Sequence, residues 1–337
     1  MPARLHWFYW ESYSTWLSGF ALFTVSYLWS ASTYLIDKSK MDWPPPMAIT
    51  VALAFLVVFW LLYDAICRVF GQRKHGDAIV GAMVLALVCI ASWLACHWFA
   101  GRAAFLLVGA MLATSMSASV LFWIIPGQRK VVAAIKAGQA IDPVHGLRGK
   151  QRSVHNTYFT LPVLFAMLSG HYSFTYTHPQ NWLILILMMF AGAAIRQFFV
   201  MRHGFKLGRN ANPMPYALVG VVVILGVIVW LKPPAEPTRA VSAAPATLTH
   251  GTPLGAPGSG YQDVQKVLAQ RCIMCHGEQL QMKNVRLDLP ESLKLHAQNV
   301  YQQAVVTKIM PMNNSTAITE DERLVIKRWF EAGAQTP

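Results

Sequence analysis

The sequence predicts an all-α protein in which a polytopic transmembrane helix bundle precedes a small, separate helical domain. Of the 337 residues, 55% are hydrophobic and only 13% are charged, whereas soluble domains carry about 25% charged residues. Apolar runs long enough to cross a bilayer recur through residues 1–232. Residues 261–337 lack such runs and contain similar numbers of acidic and basic side chains. The first part is therefore expected in a membrane and the second in water.

About seven helices are predicted to span the membrane, because seven segments are apolar over roughly 20 residues. They are residues 16–34, 47–67, 78–98, 103–125, 154–169, 182–200 and 216–231. The fifth is the least apolar, since Asn156, Thr157, Thr160 and Pro162 interrupt it.

Basic residues mark alternate loops of this bundle. Those that follow the second, fourth and sixth segments include Arg68, Arg73, Lys74, Arg129, Lys130, Lys136, Arg148, Lys150, Arg152, Arg202, Lys206 and Arg209. The intervening loops hold only Lys38, Lys40 and Arg102. Because basic loops remain in the cytoplasm, the amino terminus is predicted there and the tail on the other side. The net charge of +13 thus reflects topology, and no nucleic-acid partner is expected.

A flexible linker is predicted for residues 233–260, which are rich in Pro, Ala, Gly, Thr and Ser. Such a segment buries too little apolar surface to fold. The domains are accordingly residues 1–232 and 261–337, and the linker tethers one to the other.

The pentapeptide Cys-Ile-Met-Cys-His at residues 272–276 carries the clearest chemical signal. C-x-x-C-H is the attachment motif of a c-type haem: Cys272 and Cys275 would bond the porphyrin, and His276 would bind the iron. The alternatives are a redox C-x-x-C pair or half of a zinc site. A zinc site would need a second pair of ligands, and residues 261–337 contain no further cysteine.

The rest of the tail is typical of a small, class I-like cytochrome c domain. Val264, Val267 and Leu268 form an apolar helical stripe before the motif. Thr319 and Glu322 have the spacing of a capping box, and an amphipathic helix follows. A thioether from the intervening loop would complete the iron coordination. Met310 is the preferred ligand because Pro311 restrains the backbone beside it, and Met312 is the alternative.

Covalent haem attachment in bacteria takes place outside the cytoplasm, where the charge pattern also places the tail. We therefore expect a bacterial inner-membrane protein with a periplasmic cytochrome domain.

Histidines at helix ends add a further possibility. The pairs His155 with His203 and His97 with His171 could ligate a non-covalent haem between helices, although a single interfacial histidine also serves as a polar anchor.

Several stretches resemble the membrane-bound urate hydroxylases of the PuuD type, in which a urate oxidase N-terminal membrane domain is fused to a cytochrome c. They are residues 5–11 (Leu-His-Trp-Phe-Tyr-Trp-Glu), 124–130 (Ile-Ile-Pro-Gly-Gln-Arg-Lys), 149–165 with His171 and Tyr172, and 310–323 in the tail. Members of that family usually begin with one more transmembrane helix before the stretch that starts here at Leu5. The resemblance therefore implies a shortened variant or a start that is not complete.

The resemblance implies an enzyme of purine catabolism that oxidises urate toward 5-hydroxyisourate. Electrons would leave through the haem c to a downstream cytochrome c or a terminal oxidase. We predict catalytic roles for His155 and Asn156. Oxidation of urate at the cytoplasmic end, near these two residues, would require an intermediate haem, because a hydrocarbon core of about 30 Å is too wide for one electron transfer. Oxidation at the outer end, near His97, His171 and Tyr172, would let the tethered haem accept the electrons directly.

Two other function classes are compatible with parts of the sequence. The chain could be a membrane-anchored cytochrome c that only carries electrons to an oxidase, although a single helix would suffice as an anchor. It could also be a transporter with a fused redox domain, but no inverted repeat or matched pair of broken helices is visible. Reduction of the haem by substrate distinguishes the enzyme from both.

Overall fold

The computed structural model describes residues 7–232, 260–282 and 285–337. These residues form helices and one isolated β-bridge, and they contain no β-strand. The prediction of an all-α protein is confirmed for these residues. They fall into two compact units, a larger one that runs to Ile228 and also includes Met312–Ser315, and a smaller one that comprises Val229–Pro311 and Thr316–Pro337. The predicted linker at 233–260 lies almost entirely outside the described residues.

The larger unit contains ten α-helices, and each of the seven predicted segments falls on one or more of them. They are α1 (Trp7–Phe23), α2 (Ala31–Tyr34), α3 (Pro45–Phe70), α4 (Gly76–Trp98), α5 (Gly101–Ser119), α6 (Ile125–Lys136), α7 (Pro143–Leu168), α8 (Ser173–Tyr176), α9 (Asn181–Lys206) and α10 (Met214–Trp230). Four are long and apolar enough to cross a membrane: α3, α4, the continuous helix Gly101–Lys136, and α9. The membrane position of α1, α7 and α10 stays a prediction.

Two π-helical turns modify the predicted helices. The first, Thr24–Leu28, follows α1 and ends the long helix before Ser30. The second, Val120–Ile124, joins α5 to α6 and lies directly before Pro126. Because proline has no N–H to donate, a wider turn at this position lets the helix continue without a clash. The fourth predicted helix is therefore longer than its apolar run.

Helix α7 begins well before the segment predicted at 154–169. The Asp142 side chain accepts a hydrogen bond from the Val144 N–H at 2.9 Å and caps its first turn. Pro162 lies inside α7 without ending it. The first half of the helix is too polar for a hydropathy pattern to detect, yet it contains the buried residues Gln151 and Arg152.

A buried ion pair holds this polar half of α7 against α3. Asp64 and Arg152 are only 4% and 1% exposed, and the Arg152 Nη2 donates to Asp64 Oδ1 at 2.5 Å. Arg68 contacts the other carboxylate oxygen, also at 2.5 Å. The Arg152 guanidinium covers the ring of Trp123 at 4.2 Å. Charge neutralisation by Asp64 is what allows Arg152 to be buried.

Helix α5 is the core of the bundle and packs against α1, α3, α4 and α7, while α7 also packs against α9. Its contact with α7 is close because small residues face each other. A β-carbon at Gly109 would lie only 2.8 Å from that of Ala166. Short loops reverse the chain from α3 to α4, from α4 to the continuous helix Gly101–Lys136, and from that helix to α7, so the bundle has a basic end near Arg68 and an opposite end near Arg102.

The described residues of the smaller unit include five α-helices around an apolar core. They are α11 (Tyr261–Arg271), α12 (Ile273–His276), α13 (Pro290–Leu295), α14 (Ala297–Tyr301) and α15 (Glu320–Glu331). The apolar stripe predicted on α11 is buried, and the capping box of Thr319 and Glu322 is present. Helices α11 and α15 pack against each other.

One arginine links these two helices. The Arg271 Nε lies 3.1 Å from both carboxylate oxygens of Glu322, and its Nη1 donates to the Thr316 carbonyl at 2.5 Å. Burial alone would raise the pKa of the Glu322 carboxyl, but hydrogen bonds from Thr319 and Arg271 outweigh it and lower that pKa. The residue next to Cys272 is thereby fixed to the start of α15.

We expect Asp64→Asn to destabilise the bundle by about 3–5 kcal/mol, because it leaves the Arg152 charge buried without a counter-charge. Thermal unfolding in detergent can be followed with a thiol-reactive dye, since Cys67 and Cys96 are free and buried. The matched control is Arg68→Gln, which removes the partner that is 59% exposed and should cost at most about 1 kcal/mol. Equal losses in the two variants would contradict this account.

Candidate functional site

A cavity of about 1290 Å³ lies between α1, α5 and α7 of the bundle. Its walls are aromatic and small residues with a few polar groups. The residues that line it include Glu11, Trp16, Phe20, Phe23, Tyr27, Tyr34, Arg102, Thr114, Met116, Asn156, Gly170 and His171. A cavity of this composition can take a flat organic molecule with a small number of polar contacts.

The two ends of this cavity are lined by different polar residues. Arg102, in the first turn of α5, and His171 lie at the opposite end of the bundle. Asn156 lies nearer the basic end, where its Nδ2 donates to the Met116 carbonyl at 3.1 Å. Arg102 and Met116 are separated along α5 by about 21 Å at 1.5 Å per residue. One small substrate therefore cannot contact both Arg102 and Asn156.

Arg102 is a cation without an acidic partner among the described residues. Its Nε is buried and has no hydrogen-bond partner there. The guanidinium lies beside the phenol groups of Tyr27 and Tyr176 rather than beside a carboxylate. The start of α5 is fixed by the Ala100 N–H, which donates to the Leu35 carbonyl at 3.1 Å.

The two predicted catalytic residues occupy different surroundings. Asn156 lines the cavity, and its Oδ1 is buried without a hydrogen-bond partner. The neighbouring His155 points to α3 instead, where its Nδ1 lies 2.9 Å from the Tyr63 hydroxyl and 3.9 Å from Cys67 Sγ. Asn156 is thus placed to touch a bound molecule, whereas His155 would act on it through other groups. Their catalytic roles stay predictions.

The other three histidines predicted as possible haem ligands lie in different surroundings. His171 lines the cavity at its Arg102 end. His97 lies against the Trp93 ring, 4.2 Å between centroids, with its Nδ1 2.7 Å from the Trp93 carbonyl. His203 is exposed in the last turn of α9.

In the smaller unit, Cys272 precedes the single turn α12, which contains Cys275 and His276. The N–H groups of Cys275 and His276 both donate to the Cys272 carbonyl, at 3.1 and 2.9 Å, so one turn holds all three residues. Both thiols are free. Burial, followed by the neighbouring Cys275, raises the pKa of Cys272 to about 12, which keeps this thiol protonated.

These residues fit a covalently bound haem. The His276 Nδ1 lies 3.4 Å from the Val285 carbonyl; a hydrogen bond there leaves Nε2 available as a ligand. Large apolar side chains of this unit remain exposed, among them Met274 at 67% and Leu295 at 78%. The described residues contain no cluster of three or more His, Cys, Asp or Glu that could hold a bare metal ion.

Met310, the preferred second ligand, has a well-fixed backbone. Its N–H donates to the Gln303 carbonyl at 3.0 Å, and its carbonyl accepts from the buried Arg323 at 2.9 Å. The alternative, Met312, begins the short turn Met312–Asn314.

Sequence reasoning missed Arg102 and the cavity-lining face of α1. The charge pattern did contain a signal, because Arg102 is one of only three basic residues in the loops that are otherwise poor in Lys and Arg. The cavity itself depends on how α1, α5 and α7 pack, which no local pattern reveals.

Comparison with known proteins assigns the bundle to a family. No curated protein and no solved structure matches the chain. The family described as urate oxidase N-terminal matches residues 1–232, which include every helix of the larger unit from α1 to α10. Since this match covers more than half of the 337 residues, the chain belongs to the urate oxidase N-terminal family.

Proposed function

We propose that this protein oxidises urate toward 5-hydroxyisourate in its membrane bundle and delivers the electrons to a haem c in its second unit. The observation that carries the proposal is a urate oxidase N-terminal match over residues 1–232 in the same chain as the Cys272, Cys275 and His276 turn. The family supports an oxidoreductase that acts on urate. The turn supports a covalent haem as the electron acceptor.

The reaction balances without oxygen. Urate and one water give 5-hydroxyisourate, two protons and two electrons. Cys272 and Cys275 would hold the porphyrin, His276 and Met310 would bind the iron, and the bound haem would supply a one-electron acceptor of raised potential. The bundle's own contribution is the cavity, which would enclose a planar purine between aromatic and small side chains.

Four described helices long and apolar enough to span a bilayer support a membrane location. A bacterial inner membrane, a cytoplasmic amino terminus and a periplasmic second unit complete the proposal, with a downstream cytochrome c or terminal oxidase as electron acceptor. A second, non-covalent haem within the bundle is part of the proposal only if urate reacts at the basic end.

Anaerobic urate should reduce the haem of the detergent-purified holoprotein, which is seen as growth of the reduced c-type absorbance bands. Cys272→Ser with Cys275→Ser should abolish covalent attachment and the response together. A haem that dithionite reduces and urate does not would contradict the proposal and favour a membrane-anchored electron carrier. Absence of b-type bands from the same spectrum would exclude the second haem.

Met310→Ala should lower the haem potential, because loss of a thioether ligand removes the stabilisation that methionine gives to ferrous iron. Spectroelectrochemical titration measures the haem potential, and the sulfur-to-iron charge-transfer band of the oxidised protein should disappear. Met312→Ala is the matched control and should retain the potential and the band. The reverse pattern would identify Met312 as the ligand.

A further inference from the structure

We infer that the urate anion binds at the Arg102 end of the cavity, with the Arg102 guanidinium as its counter-charge. This inference rests on the proposed function and gives the bundle a substrate-binding residue that the sequence does not single out. It also places the substrate about 21 Å along α5 from the level of Asn156.

The charge of Arg102 favours an anionic ligand. Arg102 is half-buried, and a cation partly withdrawn from water without a counter-charge is costly; such residues within membrane helices mark ligand sites or ion pathways. Arg102 lines the cavity, and its buried Nε has no hydrogen-bond partner among the described residues. By contrast, the buried Arg152 is neutralised by Asp64. An anionic ligand would supply the charge that Arg102 lacks.

The space around the Arg102 guanidinium also suits a planar anion. A β-carbon at Gly170 would lie 3.3 Å from the Arg102 Nε, tighter than ordinary contact. A side chain on Gly101 would collide with the Tyr176 carbonyl. Two glycines thus let α5 and the segment after α7 approach while the guanidinium keeps its place. Its planar set of donors suits a planar anion with several acceptor atoms.

Aromatic side chains line the cavity beside Arg102. Phe23, Tyr27 and Tyr34 line the cavity, and the rings of Phe23 and Tyr27 stack with centroids 5.7 Å apart. Tyr27 and Tyr34 also contact each other edge to face at 6.4 Å. Aromatic side chains beside a cation form a surface on which a flat, charged purine can stack and be paired at once.

The other end of the cavity has the wrong charge for an anion. Glu11 lines it on α1, about 24 Å along the helix from Tyr27 at 1.5 Å per residue. The unpartnered atom of Asn156 is its Oδ1, an acceptor. Both groups would repel a urate anion, so Asn156 is placed to influence the reaction from a distance or to bind another molecule.

Binding of radiolabelled urate to the detergent-purified holoprotein, measured by equilibrium dialysis, tests this inference. Arg102→Gln should weaken binding about 10- to 100-fold, the worth of charge-assisted hydrogen bonds. Arg102→Met, which keeps the length and removes the charge, should do the same and serves if the glutamine variant misfolds. The urate concentration for half-maximal haem reduction should rise by a similar factor.

Arg196→Gln serves as the matched control. It removes another arginine whose Nε is buried without a partner among the described residues, and Arg196 is not among the side chains that line the cavity. This variant should bind urate within about 3-fold of the unmodified protein, since it does not change the anion site. Asn156→Ala changes the far end of the same cavity and shows whether urate binds there instead.

The outcomes are distinguishable. Unchanged binding in folded Arg102→Gln or Arg102→Met would overturn the inference, as would a loss in Asn156→Ala with Arg102 variants unaffected; the proposed function would survive both. If the unmodified protein neither binds urate nor has its haem reduced by it, the proposed function itself fails, and the inference fails with it.

Discussion

The buried contact between Asp64 and Arg152 is the constraint on which the bundle depends. It fixes α7, whose first half is too polar to enter a helix bundle without compensation, against α3. The same helix then packs closely on α5 at Ala166 and contributes Asn156 to the cavity. The ion pair therefore determines where one wall of the cavity lies, even though neither charged residue lines it.

A comparable link organises the smaller unit. Arg271 closes α11, contacts Glu322 within the capping box of α15, and immediately precedes Cys272. Because one side chain connects the first and last helices of the unit next to the attachment motif, the position of that motif follows from the helix packing. In both units an ion pair, buried in the bundle and half-buried in the smaller unit, thus fixes a segment that holds candidate site residues.

Much of this architecture could be predicted from sequence, and the exceptions have physical causes. Helices with continuous apolar faces, such as α3, α4 and α9, are detected by hydropathy because lipid exposure demands it. The early part of α7 was missed because its burial is stabilised by an ion pair with a residue distant in sequence. The continuation past Pro126 was missed because a π turn is a local adjustment without a strong sequence pattern. Arg102 was visible only as an isolated exception to the charge pattern.

In the proposed function, the cavity in the bundle and the cysteine-containing turn in the second unit would together serve a urate dehydrogenase that needs no oxygen. The most direct test is an anaerobic reaction of the oxidised holoprotein with limiting urate in water labelled with oxygen-18. The account predicts two ferric haems reduced for each urate consumed, with one labelled oxygen in the product. Urate consumption that requires oxygen, produces hydrogen peroxide and leaves the haem ferric would contradict it.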